Sequence, residues 1–125
     1  MKRVVIGVES PEMAFARARE IARLADAGVV VPEADYHLNF GSLERLFGEL
    51  TPARLRLLQT ALDTGAQTVE TLALRLGRDE ASVRGDLAGL LAHDLVVMDE
   101  AGLVSAPWGV VELRLSFGAD LGKAA

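Results

Sequence analysis

The stretch whose reading decides the fold is Thr51–Pro107, TPARLRLLQTALDTGAQTVETLALRLGRDEASVRGDLAGLLAHDLVVMDEAGLVSAP. Thr51-Pro52 supplies an N-cap with proline in the first helical turn, and Leu55, Leu58 and Leu62 follow at helical spacing. Gly65 stops this first helix. A second runs from about Thr68 to Leu76, with Val69, Leu72, Ala73 and Leu76 on its inner side. Gly77-Arg78 makes a tight turn, and Asp79 caps a third helix whose core positions are Val83, Leu87, Leu90 and Leu91. Leu95-Val96-Val97 and Leu103-Val104 then flank Asp99-Glu100-Ala101-Gly102, a hairpin turn signal.

Three short helices followed by a hairpin are the layout of a winged helix-turn-helix, with the hairpin as the wing. In that layout the third helix is the one able to enter a DNA major groove. With Val83, Leu87, Leu90 and Leu91 turned inward, a step of about 100° per residue fixes the opposite face. It holds Ala81, Ser82, Gly85, Ala88, Gly89 and Ala92, with Arg78 at its N-terminal end and Arg84 and Asp86 on its flanks. Long donors of the kind that read base edges are nearly missing there. Two readings follow. A small-residue face lets the helix sit deep in the groove, with Ser82 on base edges and Arg78 and Arg84 on phosphate or guanine. The same face suits close packing of a second protein surface.

Charge constrains both readings. The chain carries a net charge of −5, and from Thr51 onward seven basic residues stand against ten acidic ones. Phosphate contacts supply most non-specific nucleic-acid affinity, so binding would have to come from a local arrangement of arginines. Arg54, Arg56 and Arg75 are the further candidates for backbone contact. The hairpin tip, Asp99-Glu100, would repel phosphate.

Outward from this stretch, Val4, Val5, Ile6 and Val8 read as a strand, and Ser10-Pro11 opens a helix that ends near Gly28. The polar side of that helix carries Arg17, Arg19, Glu20 and Arg23. Tyr36, Leu38 and Phe40, alternating with His37 and Asn39, form a second strand. Gly41-Ser42 breaks it, and Leu43, Leu46, Phe47 and Leu50 return to helical spacing. Residues 29–35, VVVPEAD, read as a strand end or a loop. After Pro107-Trp108, the residues Val111, Leu113, Leu115 and Phe117 alternate strictly with Glu112, Arg114 and Ser116. This last strand is expected to pair with the N-terminal strand or with another subunit, and GADLGKAA is expected to be a loose tail.

The chain of 125 residues is half hydrophobic and a quarter charged, enough for one modest core or two small ones. No apolar run approaches the roughly 20 residues that span a bilayer. The N-terminus makes a poor signal peptide because charge and Pro11 follow a very short apolar run. With no cysteine, disulfides and thiolate zinc ligands are excluded. A cytoplasmic protein with no membrane association is expected. His37 and His93 are too few and too isolated for a metal site. There is no phosphate-cradling glycine loop and no nucleophile–base constellation, so neither a cofactor nor an enzyme is expected. Trp108 is read as a plug at the base of the wing or as an interface anchor.

The run LTPARLRLLQTAL…LALRLGRDEASVRGDLAGLLAHDLVV…PW resembles a family of small prokaryotic DNA-binding transcriptional regulators with a winged helix-turn-helix. Ser10-Pro11-Glu12-Met13-Ala14-Phe15 and Phe40-Gly41-Ser42-Leu43 resemble the N-terminal part of many members, so the likeness covers nearly the whole chain. Its most specific part is Leu76 to Leu95. This chain departs from the pattern at Val83-Arg84-Gly85-Asp86, where the family carries more polar and basic residues. It departs again at His93-Asp94-Leu95, where Asp94 replaces the usual glycine. The resemblance implies a transcriptional regulator, and some members look like antitoxins encoded beside a small toxin.

The sequence thus predicts an α+β chain in three segments. Residues 1–50 are a strand-helix extension for dimerisation or partner binding, 51–107 a winged helix-turn-helix, and 108–125 a C-terminal strand and tail. The expected site is Arg54, Arg75, Arg78, Ser82, Arg84 and Gly85. Its expected partners are double-stranded DNA, a second copy of the chain, and a small basic toxin. The alternative is an interaction module that keeps the fold and binds protein instead of DNA.

Overall fold

The structure, a computed structural model, describes residues 2–29, 36–115 and 117. Its elements are β1 (Arg3–Val8), α1 (Pro11–Asp26), β2 (Tyr36–Phe40), α2 (Leu43–Glu49), α3 (Pro52–Thr64), α4 (Val69–Leu76), α5 (Glu80–Ala92), β3 (Val97–Met98), β4 (Val104–Ser105) and β5 (Val110–Arg114). The fold class is α+β. No helix among the described residues is long and apolar enough to cross a membrane. Most of the expected VVVPEAD segment and the GADLGKAA tail lie outside the described residues.

The helix starts follow the sequence closely. The side chains of Ser10, Thr51, Thr68 and Asp79 accept from the backbone N–H groups of Met13, Arg54, Thr71 and Ser82. Each such cap is worth about 1 kcal/mol, because it satisfies a donor the first turn would otherwise leave bare.

The described residues divide into two compact units: Phe47–Gly109 with Lys2, and Arg3–Leu46 with Val110 and the residues after it. The division falls within α2.

In the first unit α3, α4 and α5 enclose a dry core. Leu57, Leu72, Leu90 and Val83 are fully buried, as are Leu95 and Val104 from the chain that follows. Each such leucine contributes about 1.5–3 kcal/mol by leaving water. The seam of α3 is not the expected Leu55–Leu58–Leu62 line. Leu57, Leu58 and Ala61 are buried, and Leu55 and Leu62 are half-buried flanks. Both lines satisfy helical periodicity, and the small Ala61 permits the closer approach. Leu76 and Leu91 are likewise half-buried rather than core.

Gly77 ends α4 at φ 65°, in the left-handed region that a side chain disfavours, and so allows the sharp turn into α5. The chain leaves α5 through Asp94 at φ 58°, where aspartate is tolerated better than most residues. Beyond it, β3 and β4 pair antiparallel as Val97↔Ser105 and Met98↔Val104. Gln67, just before α4, bridges to Val104 through two backbone hydrogen bonds of 2.9 and 2.7 Å, so the hairpin is tied to the helices. Asp99 shapes the turn: its carboxylate accepts from the Leu103 N–H at 2.8 Å.

The second unit is a three-stranded parallel sheet in the order β2-β1-β5. Of the alternation read along residues 111–117, the part through Arg114 pairs with the N-terminal strand, as Val4↔Val111 and Ile6↔Leu113, while Leu115 and Phe117 fall outside β5. Register puts Val4, Ile6, Leu38, Phe40, Val111 and Leu113 on one face. Val5, Gly7, His37, Asn39, Glu112 and Arg114 lie on the other. The central β1 buries Val4, Val5, Ile6 and Gly7, as a strand covered on both faces does. By contrast α1 has no buried residue, and its half-buried stripe is Ala14, Arg17, Ile21 and Leu24. Arg17 lies on that stripe with its side chain still 40 % exposed, and its Nε and Nη2 both reach Glu9 Oε1 at 3.1 Å.

Candidate functional site

The outer face of α5 is open along most of its length. Ala81, Ser82, Arg84, Gly85, Ala88 and Ala92 are exposed, and a Cβ added at Gly85 would meet nothing within 4 Å. Gly89 differs from its expected place on that face. It is half-buried, and a Cβ there would lie 2.6 Å from Arg54 Cζ, so the guanidinium of Arg54 lies across it. A side chain at 89 would make the Arg54 guanidinium, which comes from α3 and passes over the helix backbone there, shift.

That arginine belongs to a cluster centred on Asp86. Arg54 Nε donates to Asp86 Oδ1 at 3.1 Å and Arg78 Nη2 to Oδ2 at 2.6 Å. Arg54 Nη1 also caps the Glu49 carbonyl at 2.9 Å. The three side chains are only 18–25 % exposed. Burial by itself would push the Asp86 carboxyl up, but hydrogen bonds from Arg78 and Arg54, with their charges, outweigh it and hold it below its ordinary value. The cluster ties α3, the α4–α5 turn and α5 together. Sequence pattern did not reveal it, since Arg54 and Asp86 are 32 residues apart.

The other expected contacts are dispersed. Arg84 is exposed and pairs with Glu80 one turn earlier at 2.9 Å, a surface ion pair worth under about 1 kcal/mol and readily exchanged for another anion. Arg75 donates to Gln67 Oε1 at 3.0 Å. Ser82 gives its backbone N–H to the Asp79 carboxylate at 2.9 Å and leaves its hydroxyl on the open face. Asp79 and Glu80 place two carboxylates at the start of α5, complementing the helix dipole there. The structure thus brings Ser82, Arg84 and Gly85 onto one exposed surface. Arg54 and Arg78 are drawn away into the Asp86 cluster.

A family whose sequence model is described as HVO_A0114 matches residues 49–113, just over half of the chain. The chain belongs to the HVO_A0114 family. The match to the HVO_A0114 family spans α3, α4, α5, the β3–β4 hairpin and most of β5. No curated protein and no solved structure matches the chain.

Three features off the expected site belong to the same unit. Leu74, on α4, is 82 % exposed, although it interrupts an otherwise amphipathic pattern. His93 Nε2 lies 2.9 Å from Glu49 Oε1, a partner 44 residues away. Trp108 is half-buried. Among the described residues no group of three or more His, Asp or Glu side chains converges in a way that could hold a metal ion.

Proposed function

We propose that residues 51–107 form a winged helix-turn-helix and that the chain is a sequence-specific DNA-binding transcriptional regulator, with the antitoxin of a toxin–antitoxin pair as its narrower form. The observation that carries this reading is the α4–turn–α5–hairpin arrangement with an open, small-residue face on α5. Without bulky side chains, the backbone of α5 approaches base edges closely, and Ser82 supplies a hydroxyl that donates or accepts. Arg84 exchanges Glu80 for a phosphate. Few cations remain for the backbone, so affinity would depend on fit more than on counterion release. A homodimer would place two such helices about 34 Å apart on successive major grooves.

The test is fluorescence anisotropy of labelled duplex from upstream of the gene, against a scrambled duplex, across a salt series. Sequence-dependent binding with a shallow salt slope is expected. Ser82→Asp should abolish it, and Arg84→Ala should weaken it and lower the slope by about 1. Full binding by Ser82→Asp would remove α5 from the interface.

A second reading, a protein-binding module on the same fold, is favoured by the exposed Leu74 and by the chain's net charge of −5, which complements a small basic partner. Absence of DNA binding even at low salt, together with loss of a co-purifying partner in Leu74→Asp, would replace the first reading by this one.

A further inference from the structure

In the parallel-sheet unit a pocket of about 390 Å³ lies between α1 and the sheet, within the roughly 300–1,000 Å³ of small-molecule sites. Its floor is the polar sheet face: Val5 and Gly7 of β1, His37 and Asn39 of β2, and Arg114 of β5. The roof is Met13 and Arg17 of α1. The void has a sequence cause. Gly7 has no side chain to fill it, and a Cβ there would come within 3.0 Å of the Arg114 carbonyl oxygen. Its neighbours on the floor are polar, so α1 gains little by settling lower and buries none of its residues.

The lining is chemically sorted. Val8, Leu43 and Leu115 give it an apolar wall. Two guanidinium groups and one carboxylate reach it, and the Arg114 partner Glu112 lies on the same sheet face. Arg17 spends Nε and Nη2 on Glu9, and Arg114 spends Nε and Nη2 on Glu112. Each therefore still has its Nη1 edge to offer. Neither the His37 nor the Asn39 side chain makes a hydrogen bond among the described residues. The pocket also sits toward the carboxyl ends of the strands, where β2 and β5 flank β1 on opposite sides. Open parallel sheets take their ligands at such a place.

We propose that this pocket binds a small organic anion with an apolar body. Arg114, Asn39 and His37 hold its carboxylate or sulfonate, and Val5, Met13 and Leu43 contact its body. The bound molecule acts as an effector that anchors α1 to the sheet. The inference is independent of whether α5 reads DNA.

The probe is 8-anilinonaphthalene-1-sulfonate, followed by fluorescence and by the histidine ring signals in proton NMR. The chain has two histidines, one on the pocket floor and one in the other unit, so the protein carries its own control. Saturable one-to-one binding is expected, with the His37 signals shifting and those of His93 unmoved. Arg114→Glu and Asn39→Trp, checked for folding by circular dichroism, should each weaken binding at least tenfold. Phe15→Ala, which alters an exposed apolar residue elsewhere on α1, should leave it unchanged. Unmoved His37 signals at saturating probe would overturn the proposal without any variant. So would unaltered affinity in Arg114→Glu, or loss of fluorescence confined to Phe15→Ala.

Discussion

The two units spend their apolar residues differently. In Phe47–Gly109, three helices joined by short links converge on fully buried leucines, and a single carboxylate, Asp86, ties the helices by two arginines. In the parallel-sheet unit β1 is buried on both faces, yet the helix that follows it buries nothing and rests over a polar face. The lesson is that one strand can be a complete core element while its neighbouring helix is only loosely committed. Apolar contact fixes the first unit, and a ligand-sized void interrupts such contact in the second.

The largest test of that contrast is truncation in the two places. Leu57→Ala and Leu87→Ala, in the dry core, should each cost about 2–5 kcal/mol in urea unfolding. Ile21→Ala, on the half-buried stripe of α1, should cost well under half of that. Equal losses would show that α1 is as firmly packed as the helices of the other unit.

Asp86 gives the next largest effect. Asp86→Asn should destabilise by about 1–2 kcal/mol at neutral pH, a value reduced for the partial exposure of the cluster. The folded carboxyl titrates below its ordinary 3.8. Its contribution is therefore complete above that value and is lost as pH falls through the lowered one. The gap between wild type and variant should close progressively on acidification. A gap that persisted in acid would mean that the charge of Asp86 is not what joins the helices.

The smallest effects separate two glycines of the same helix. Gly85→Ala meets open space and should stabilise by about 0.5–1 kcal/mol through helix propensity. Gly89→Ala would displace the Arg54 guanidinium from Asp86 and should be neutral or destabilising. In an Arg54→Ala background the same change should become stabilising. If Gly89→Ala gained stability in the intact protein, Arg54 would be shown to be unimportant to the packing of α5.

Much of the local structure was legible in the residues. Ser10, Thr51 and Asp79 cap the helices expected of them, Gly65 and Gly77 end two of them, and Asp99–Gly102 turns the hairpin. These depend on residues within a few positions of one another, so the sequence states them directly. The seam of α3 was misplaced because two lines of apolar residues share the helical period, and the choice between them depends on what packs opposite. The expected site was legible in part. Ser82, Arg84 and Gly85 share the exposed face, but Arg54 and Arg78 looked available only because their carboxylate is distant in the sequence or across a turn.

By itself, then, the sequence determined the α+β class, the order of the elements, the caps and turns, and the small-residue outer face of α5. All of these follow from backbone preference and periodicity, which act locally. Only the tertiary structure decided that Asp86 holds Arg54 and Arg78, that Gly89 makes room for an arginine, and that strand register assembles His37, Asn39 and Arg114 under Arg17. Those groupings depend on which distant residues become neighbours, and proximity of that kind is set by the packing of whole elements.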